Sequence, residues 1–347
     1  MDGVETRAAQ WIAAQARPAT RAERRPSILP HAMNDPLSRA PEGLSRPNLL
    51  REIAVSMRPS HWTKNAVVFA AFVFAYWDST RTEPLSGKEF LLATAAFCLF
   101  CLVSSGIYIL NDLHDAPMDR FHPLKKHRPI ASGRVPPSVA GIAAALLLSV
   151  SLALGTALSL KFAATAAGYV AMQIIYTMFL KKIPFVDALV IAAGFVLRAV
   201  AGAFALHHVS ISNWLLLCAF LLSLFLALCK RRSELAAIGA QNDHKQRPAL
   251  LRYHQRAADI LIAISGAAAF ISYVSYSLWP GTIAKFQTKA LVLTTPLVAL
   301  GLLRYAHLVY RRRRGERPEE ILLTDIPLIL IIILYAVATL AALHFRP

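Results

Sequence analysis

Nine apolar runs, at residues 62–76, 90–110, 137–158, 162–180, 184–206, 213–229, 257–278, 290–308 and 321–344, take up most of this 347-residue chain. No other feature constrains the fold as tightly. The hydrocarbon core of a bilayer takes about 20 apolar residues per helix. A backbone immersed in it must satisfy its own hydrogen bonds within a helix or a closed barrel. The alternating ten-residue strands of a barrel are absent, so the expectation is an all-α, polytopic membrane protein with about nine transmembrane helices. The first run is short. It is expected to reach back to about residue 53 as an interfacial stretch, with Arg58 and Lys64 snorkelling and Trp62 anchoring at the interface.

Charge refines the picture. Only 16% of the residues are charged, against about 25% in a soluble domain, which excludes an ordinary globule and a disordered chain. There are 37 Lys and Arg against 20 Asp and Glu, a formal net of +17. A nucleic-acid reading of that surplus needs a basic face on a polar domain, and the chain has too few polar residues to make one. The connections after the second, fourth, sixth and eighth runs hold 20 of the 37 basic residues, and the opposite side holds six. The positive-inside rule then sets the N-terminus and the even-numbered connections in the cytoplasm, with the chain multi-pass in the cell inner membrane. Residues 1–50 are rich in Arg, Ala and Pro and have no apolar signal core. They are expected to form a flexible basic extension that touches anionic lipid, an organelle transit peptide being the other reading. Residues 51–347 are then the transmembrane domain. The basic run at 311–314 reads as a topology and headgroup signal.

The connection leaving the second run carries the chemistry. Asp112, Asp115 and Asp119 stand at i, i+3 and i+7, on one helical face, although Pro117 is expected to bend that helix. Three carboxylates so close repel unless a cation sits among them. Mg²⁺ favours a few carboxylates, waters and phosphate oxygens. The basic run Lys125, Lys126, Arg128 follows at once, so a metal–diphosphate site is expected, the plainer alternative being a solvated loop. At the end of the sixth run Lys230 and Glu234 share a face beside Arg231, either as a phosphate-holding cluster or as ordinary interfacial charge. Asn65, polar at the membrane edge beside Lys64, points to a ligand contact. In the fifth run Asp187 and Arg198 are eleven residues apart on one face and line a cavity or pair with each other. The Cys98–Cys101 pair reads as buried apolar packing, since no second ligand pair stands near. The histidines lack zinc spacing and read as polar loop residues. Walker, nucleophile-elbow and lipidation motifs are missing.

Three motifs together resemble a known family. They are R-P-x-x-W-x-K-N at 58–65, N-D-x-x-D-x-x-x-D-R-x-H-P-x-K-x-x-R-P-I-A-x-G at 111–133, and K-R-x-x-E-L at 230–235. With the nine runs they are similar to the UbiA superfamily of intramembrane prenyltransferases, and within it to the decaprenyl-phosphate phosphoribosyltransferase branch. The resemblance implies a UbiA-type bundle that moves phosphoribosyl from phosphoribosyl diphosphate to a polyprenyl phosphate with Mg²⁺. It implies Asp112, Asp115 and Asp119 as metal-holding catalytic residues, helped by Asn111 or Asn65. The lipid phosphate is expected near Lys230, Arg231 and Lys64, with Glu234 orienting a basic partner or joining the metal. The sugar 5-phosphate is expected on Lys126, Arg128, Lys182 or Arg198. An aromatic prenyltransferase would need a second D-x-x-x-D motif after the sixth run, where this chain has Lys230 to Glu234. A transporter or lipid-binding protein is the non-enzymatic rival, against which stand the lack of an internal repeat and the polar residues gathered at one face.

Overall fold

The computed structural model describes residues 48–81, 85–206, 209, 212–241, 255–312, 321 and 324–345. The expected extension therefore lies outside the described residues up to residue 47, as do His207, His208 and the second half of the 311–314 run. The described residues are helical and contain no strand. The elements are α1 (Leu49–Ser56), a 3₁₀ segment (Pro59–Phe69), α2 (Ala70–Tyr76), α3 (Gly87–Asp119), α4 (Pro137–Leu158), α5 (Leu160–Met178), α6 (Val186–Phe204), α7 (Asn213–Gln241), α8 (Gln255–Leu278), α9 (Pro280–Phe286), a 3₁₀ turn (Ala290–Thr294), α10 (Thr295–Arg312) and α11 (Ile326–His344).

Local signals start the helices. A capping box opens α3: the Ser86 backbone N–H donates to Glu89 at 2.8 Å and the Ser86 hydroxyl accepts from Lys88 N–H at 3.2 Å, satisfying donors that a helix start leaves unpaired. Pro137 occupies the first position of α4, where its missing N–H costs nothing. Asp325 caps α11 by accepting from Leu328 N–H at 3.1 Å, and grips Arg304 of α10 at 2.8 Å. Helix α3 runs on through Pro117 without a break. Proline is tolerated in membrane helices where neighbours re-satisfy the freed carbonyl.

Seven helices among the described residues are long and apolar enough to cross a membrane, two fewer than the nine expected. The shortfall has two causes. The run at 62–76 folds as the 3₁₀ segment followed by the seven-residue α2. The run at 162–180 becomes α5, a 19-residue helix diluted by Lys161, Thr165 and Gln173. Both still pack within the bundle. Val68, Phe100, Val103, Phe162, Tyr169 and Ala201 form one core joining the 3₁₀ segment with α3, α5 and α6. A second core joins α6, α7, α8, α10 and α11 through Ala188, Phe225, Ile262, Leu308 and Leu328. Helix α6 contributes to both. Gly202 on α6 permits its closest approach, because a Cβ there would stand 1.9 Å from the Val68 carbonyl oxygen of the 3₁₀ segment. On the outside, α4 and α11 show large apolar side chains such as Ile142, Leu146, Ile333 and Leu334. In water such a surface would be a liability; against lipid tails it is the matching solvent.

Candidate active site

The polar side chains gather at one end of the bundle, where α3 and α7 finish and α6 begins. Asp112 and Asp119, on α3, are 3% and 5% exposed. Each meets basic groups from other elements. Arg58 donates to Asp112 Oδ1 at 2.5 Å. Arg128 spans two carboxylates, donating to Asp112 Oδ1 at 3.1 Å and to Asp119 Oδ2 at 2.6 Å. Lys125 stands 4.0 Å from Asp119, and Lys181 pairs with Asp115. Among the described residues no three carboxylate, imidazole or thiol groups converge on one point. Basic side chains stand between the acids, where the sequence suggested a divalent ion. The donor set itself, three carboxylates with the Asn111 amide oxygen beside them, is all hard oxygen and suits Mg²⁺.

Two backbone features aim these groups. Arg58 has φ 53°, in the left-handed region. That conformation is costly for a residue with a Cβ and clusters at functional sites. It turns the guanidinium onto Asp112 and over the Tyr108 ring, 5.3 Å from its centroid. The 120–136 connection folds back through Gly133 at φ 79°, a conformation glycine adopts freely. Ile130 and Val135 are each 1% exposed and anchor the connection on the bundle, while Lys126 and His127 stay exposed. Arg134 ties the connection to α1 by reaching Glu52 at 3.0 Å.

The second cluster is sealed. Arg231 on α7 sits between Asp187 of α6, at 2.5 Å, and Glu234 one turn on. The Arg231 and Asp187 side chains are each only 4% exposed. Asp187 thus pairs with Arg231 and not with Arg198, which its spacing had suggested. Arg198 lies in a different place, 6% exposed. It donates to Asn65 Oδ1 at 2.8 Å, Gly194 O at 2.9 Å and Tyr169 Oη at 2.8 Å, with the Phe100, Tyr169 and Phe195 rings around it. Asn65 is 1% exposed and spends its donors on Cys101 Sγ at 3.3 Å and Ser104 Oγ at 3.0 Å. The structure therefore brings Asn65 and Arg198 to each other inside the bundle and not to the acids. The end of α5 links the clusters, since Thr177 donates to Asn111 Oδ1 at 3.3 Å and Tyr176 stands within electrostatic reach of Arg231.

Of the other residues singled out in the sequence, Lys64 and Lys230 are half-buried and Lys126 is exposed. The Lys182 side chain lies outside the described residues. The four cysteines are free; Cys101 is buried, as the packing reading expected, but its neighbour in the pair, Cys98, is exposed on the outer face of α3. His114 is exposed on α3, while His122 accepts the backbone N–H groups of Leu124 and Lys125. Sequence reasoning missed the site roles of Arg58 and Lys181. Arg58 was visible in the first motif but read as snorkelling. Lys181 and Lys182 are adjacent, and only the fold distinguishes the one that faces Asp115.

A cavity of about 460 Å³ opens between α7, α8, α10 and α11. Phe225, Tyr273, Tyr305, Leu328 and Tyr335 are among its walls. Phe225 is six residues before Arg231 on α7, about 9 Å along the axis.

A polytopic helical bundle with an acid-and-base cluster at one end and an apolar hollow within defines an integral membrane transferase. The chain belongs to the UbiA prenyltransferase family, whose model matches residues 66–324. It is 31% identical over 305 residues to the decaprenyl-phosphate phosphoribosyltransferase of Corynebacterium glutamicum, covering 86% of this chain and 89% of that one. It is 32% identical over 309 residues to the enzyme of the same name from Mycolicibacterium smegmatis, covering 86% and 94%. In fold it is similar to a UbiA homolog from Archaeoglobus fulgidus bound to GPP and Mg²⁺, with a TM-score of 0.62, 20% identity, and 84% and 99% of the two chains covered.

Proposed function

We propose that the protein transfers the 5-phosphoribosyl group from phosphoribosyl diphosphate to a polyprenyl phosphate, giving polyprenylphosphoryl-5-phosphoribose and diphosphate, a precursor for arabinosyl donors. The bond from the anomeric carbon to the diphosphate oxygen breaks, and a phosphate oxygen of the lipid forms the new bond to that carbon. The acceptor is an anion at neutral pH, so the reaction needs no general base. The basic distribution supports a chain in the cell inner membrane with its N-terminus and the Asp-rich end in the cytoplasm. The apolar cavity within the bundle supports a lipid substrate.

The observation that carries the reading is the contrast between the two clusters. An enzyme that ionises a prenyl diphosphate needs acids in both places. Among the described residues here, the end of α7 is built around a buried arginine. One acid cluster with basic neighbours suits one metal–diphosphate donor, and a basic second cluster suits a monophosphate acceptor. The named relatives point the same way.

Asp112, Asp115 and Asp119, with Asn111 alongside, are the residues to hold Mg²⁺. When bound, Mg²⁺ supplies Lewis-acid stabilisation of the leaving diphosphate. Lys230 and Lys64 meet the acceptor phosphate, and Arg231, fixed by Asp187 and Glu234, sets the field beneath it. Lys126, exposed next to Arg128, is the seat for the sugar 5-phosphate. Asn65 and Arg198 act as positioning residues that hold the 3₁₀ segment carrying Lys64. Membranes containing the protein, given labelled phosphoribosyl diphosphate and polyprenyl phosphate, should yield a labelled lipid and release diphosphate. No labelled lipid, together with prenylation of an aromatic acceptor, would refute the proposal in favour of the aromatic prenyltransferase.

A further inference from the structure

Around the acid cluster the basic groups outnumber the acids. Asp112, Asp115 and Asp119 are met by Arg58, Arg128 and Lys181 in direct ion pairs and by Lys125 at 4.0 Å. A divalent ion approaching alone thus meets a patch that is already neutralised. To reach carboxylate oxygens it must displace basic groups and leave them beside a doubly charged ion. A metal–diphosphate complex meets a different balance, because the displaced cations find phosphate oxygens a few ångströms away. Arginine forks match such oxygens as well as they match carboxylates.

The two sides of the Asp112 and Asp119 pairs also differ in freedom. The Asp112 and Asp119 side chains are 3% and 7% exposed and are fixed on the continuous helix α3. Their partners Arg58 and Arg128 are 22% and 27% exposed and carry their charge at the ends of long side chains, while in the Asp115–Lys181 pair both sides are open, at 29% and 22%. The acids stay and the bases can move. Arg58 and Arg128 share one oxygen, Asp112 Oδ1, so a ligand that takes that atom displaces Arg58 and leaves Arg128 on Asp119 alone.

We infer that Arg58, Arg128 and Lys181 are exchangeable guards of the metal position. They neutralise the carboxylates before ligand arrives and transfer to the diphosphate oxygens afterwards, so the divalent ion is admitted together with diphosphate and only weakly ahead of it. This rests on the transferase reading above and adds an order of binding and three residue roles to it.

The test is equilibrium dialysis of the full chain in lipid nanodiscs against matched free Mn²⁺, with and without inorganic diphosphate. Wild-type protein is expected to bind Mn²⁺ at least about tenfold more tightly with diphosphate present. Arg128→Gln and Arg58→Gln should tighten binding of Mn²⁺ alone, because they uncover a carboxylate, and should remove most of the diphosphate enhancement. Lys181→Met should do the same more weakly, and it serves if Arg128→Gln unfolds the 120–136 connection. Equal affinity with and without diphosphate, or variants that weaken Mn²⁺ equally in both conditions, would overturn the guard role and leave the metal–diphosphate site standing. No Mn²⁺ binding in either condition would overturn the transferase reading along with it.

Discussion

The two charged clusters at the Asp-rich end are built from the same residue types and differ in access. Around α3 the cations are about a quarter exposed and reach in from three separate elements. Between α6 and α7 the Arg231 and Asp187 side chains are each 4% exposed and locked by a third partner. An ion pair at a wet edge can trade partners at modest cost. A desolvated one cannot, since separating it leaves an uncompensated charge in a medium that will not solvate it. The first cluster is therefore fit to receive a ligand and the second to brace the helices around it.

Breaking the sealed pair should have the largest effect. Arg231→Met leaves Asp187 buried without its partner and is expected to destabilise the protein by about 3–5 kcal/mol, read as a drop in thermal midpoint in detergent. Asp187→Asn added to Arg231→Met should restore part of that loss. If Arg231→Met melts like wild type, the distinction between brace and receiver fails. Asp112→Asn should reverse the pattern. We expect turnover to labelled lipid to fall by at least about 10²–10³-fold while membrane insertion and melting stay close to wild type. A substitution away from both clusters sharpens the contrast. Gly202→Ala drives a methyl group into the Val68 carbonyl and should cost about 1–3 kcal/mol by overpacking, loosening the segment that carries Arg58 and Lys64 and raising KM for both substrates. The smallest effect is expected at the exposed edge. Lys126→Ala should raise KM for phosphoribosyl diphosphate by roughly two- to fivefold with kcat and stability unchanged, and an unchanged KM would assign the 5-phosphate to another basic group.

Period and charge counting revealed the helical, membrane-embedded architecture because apolar runs and loop charges are local properties of a chain. The acid triad was legible for the same reason, its spacing being that of a single helix turn. The partners were not. Asp187 and Arg231 are far apart in sequence and meet only where α6 packs on α7, so spacing within the fifth run offered Asp187 only a cavity or Arg198. Asn65 was read as ligand-facing because a polar residue at a membrane edge lacks an obvious use. The use is the buried Arg198, whose donors it helps satisfy from a different helix. Seven of the nine runs form long apolar helices; of the other two, one is an α-helix diluted by polar residues and one departs from the α-helix, a departure for which hydropathy carries no signal.

That departure has a further consequence, in length. A 3₁₀ helix rises about 2.0 Å per residue against about 1.5 Å in an α-helix, and runs beyond a few residues are uncommon without outside support. Here eleven residues hold that form, fastened at Trp62 to Ser105 at 3.1 Å, at Asn65 to Ser104 at 3.0 Å, and against Gly202 at Val68. With the seven residues of α2 added, the stretch covers about 32 Å, close to the roughly 30 Å of a hydrocarbon core. As an α-helix the same eighteen residues would cover about 27 Å, so the stretched form adds several ångströms and brings Arg58 out to Asp112. The reach of this first segment is set by its neighbours' grip, so reagents that thin or thicken the bilayer should act on the distance between Arg58 and the acids before they act on any other part of the molecule.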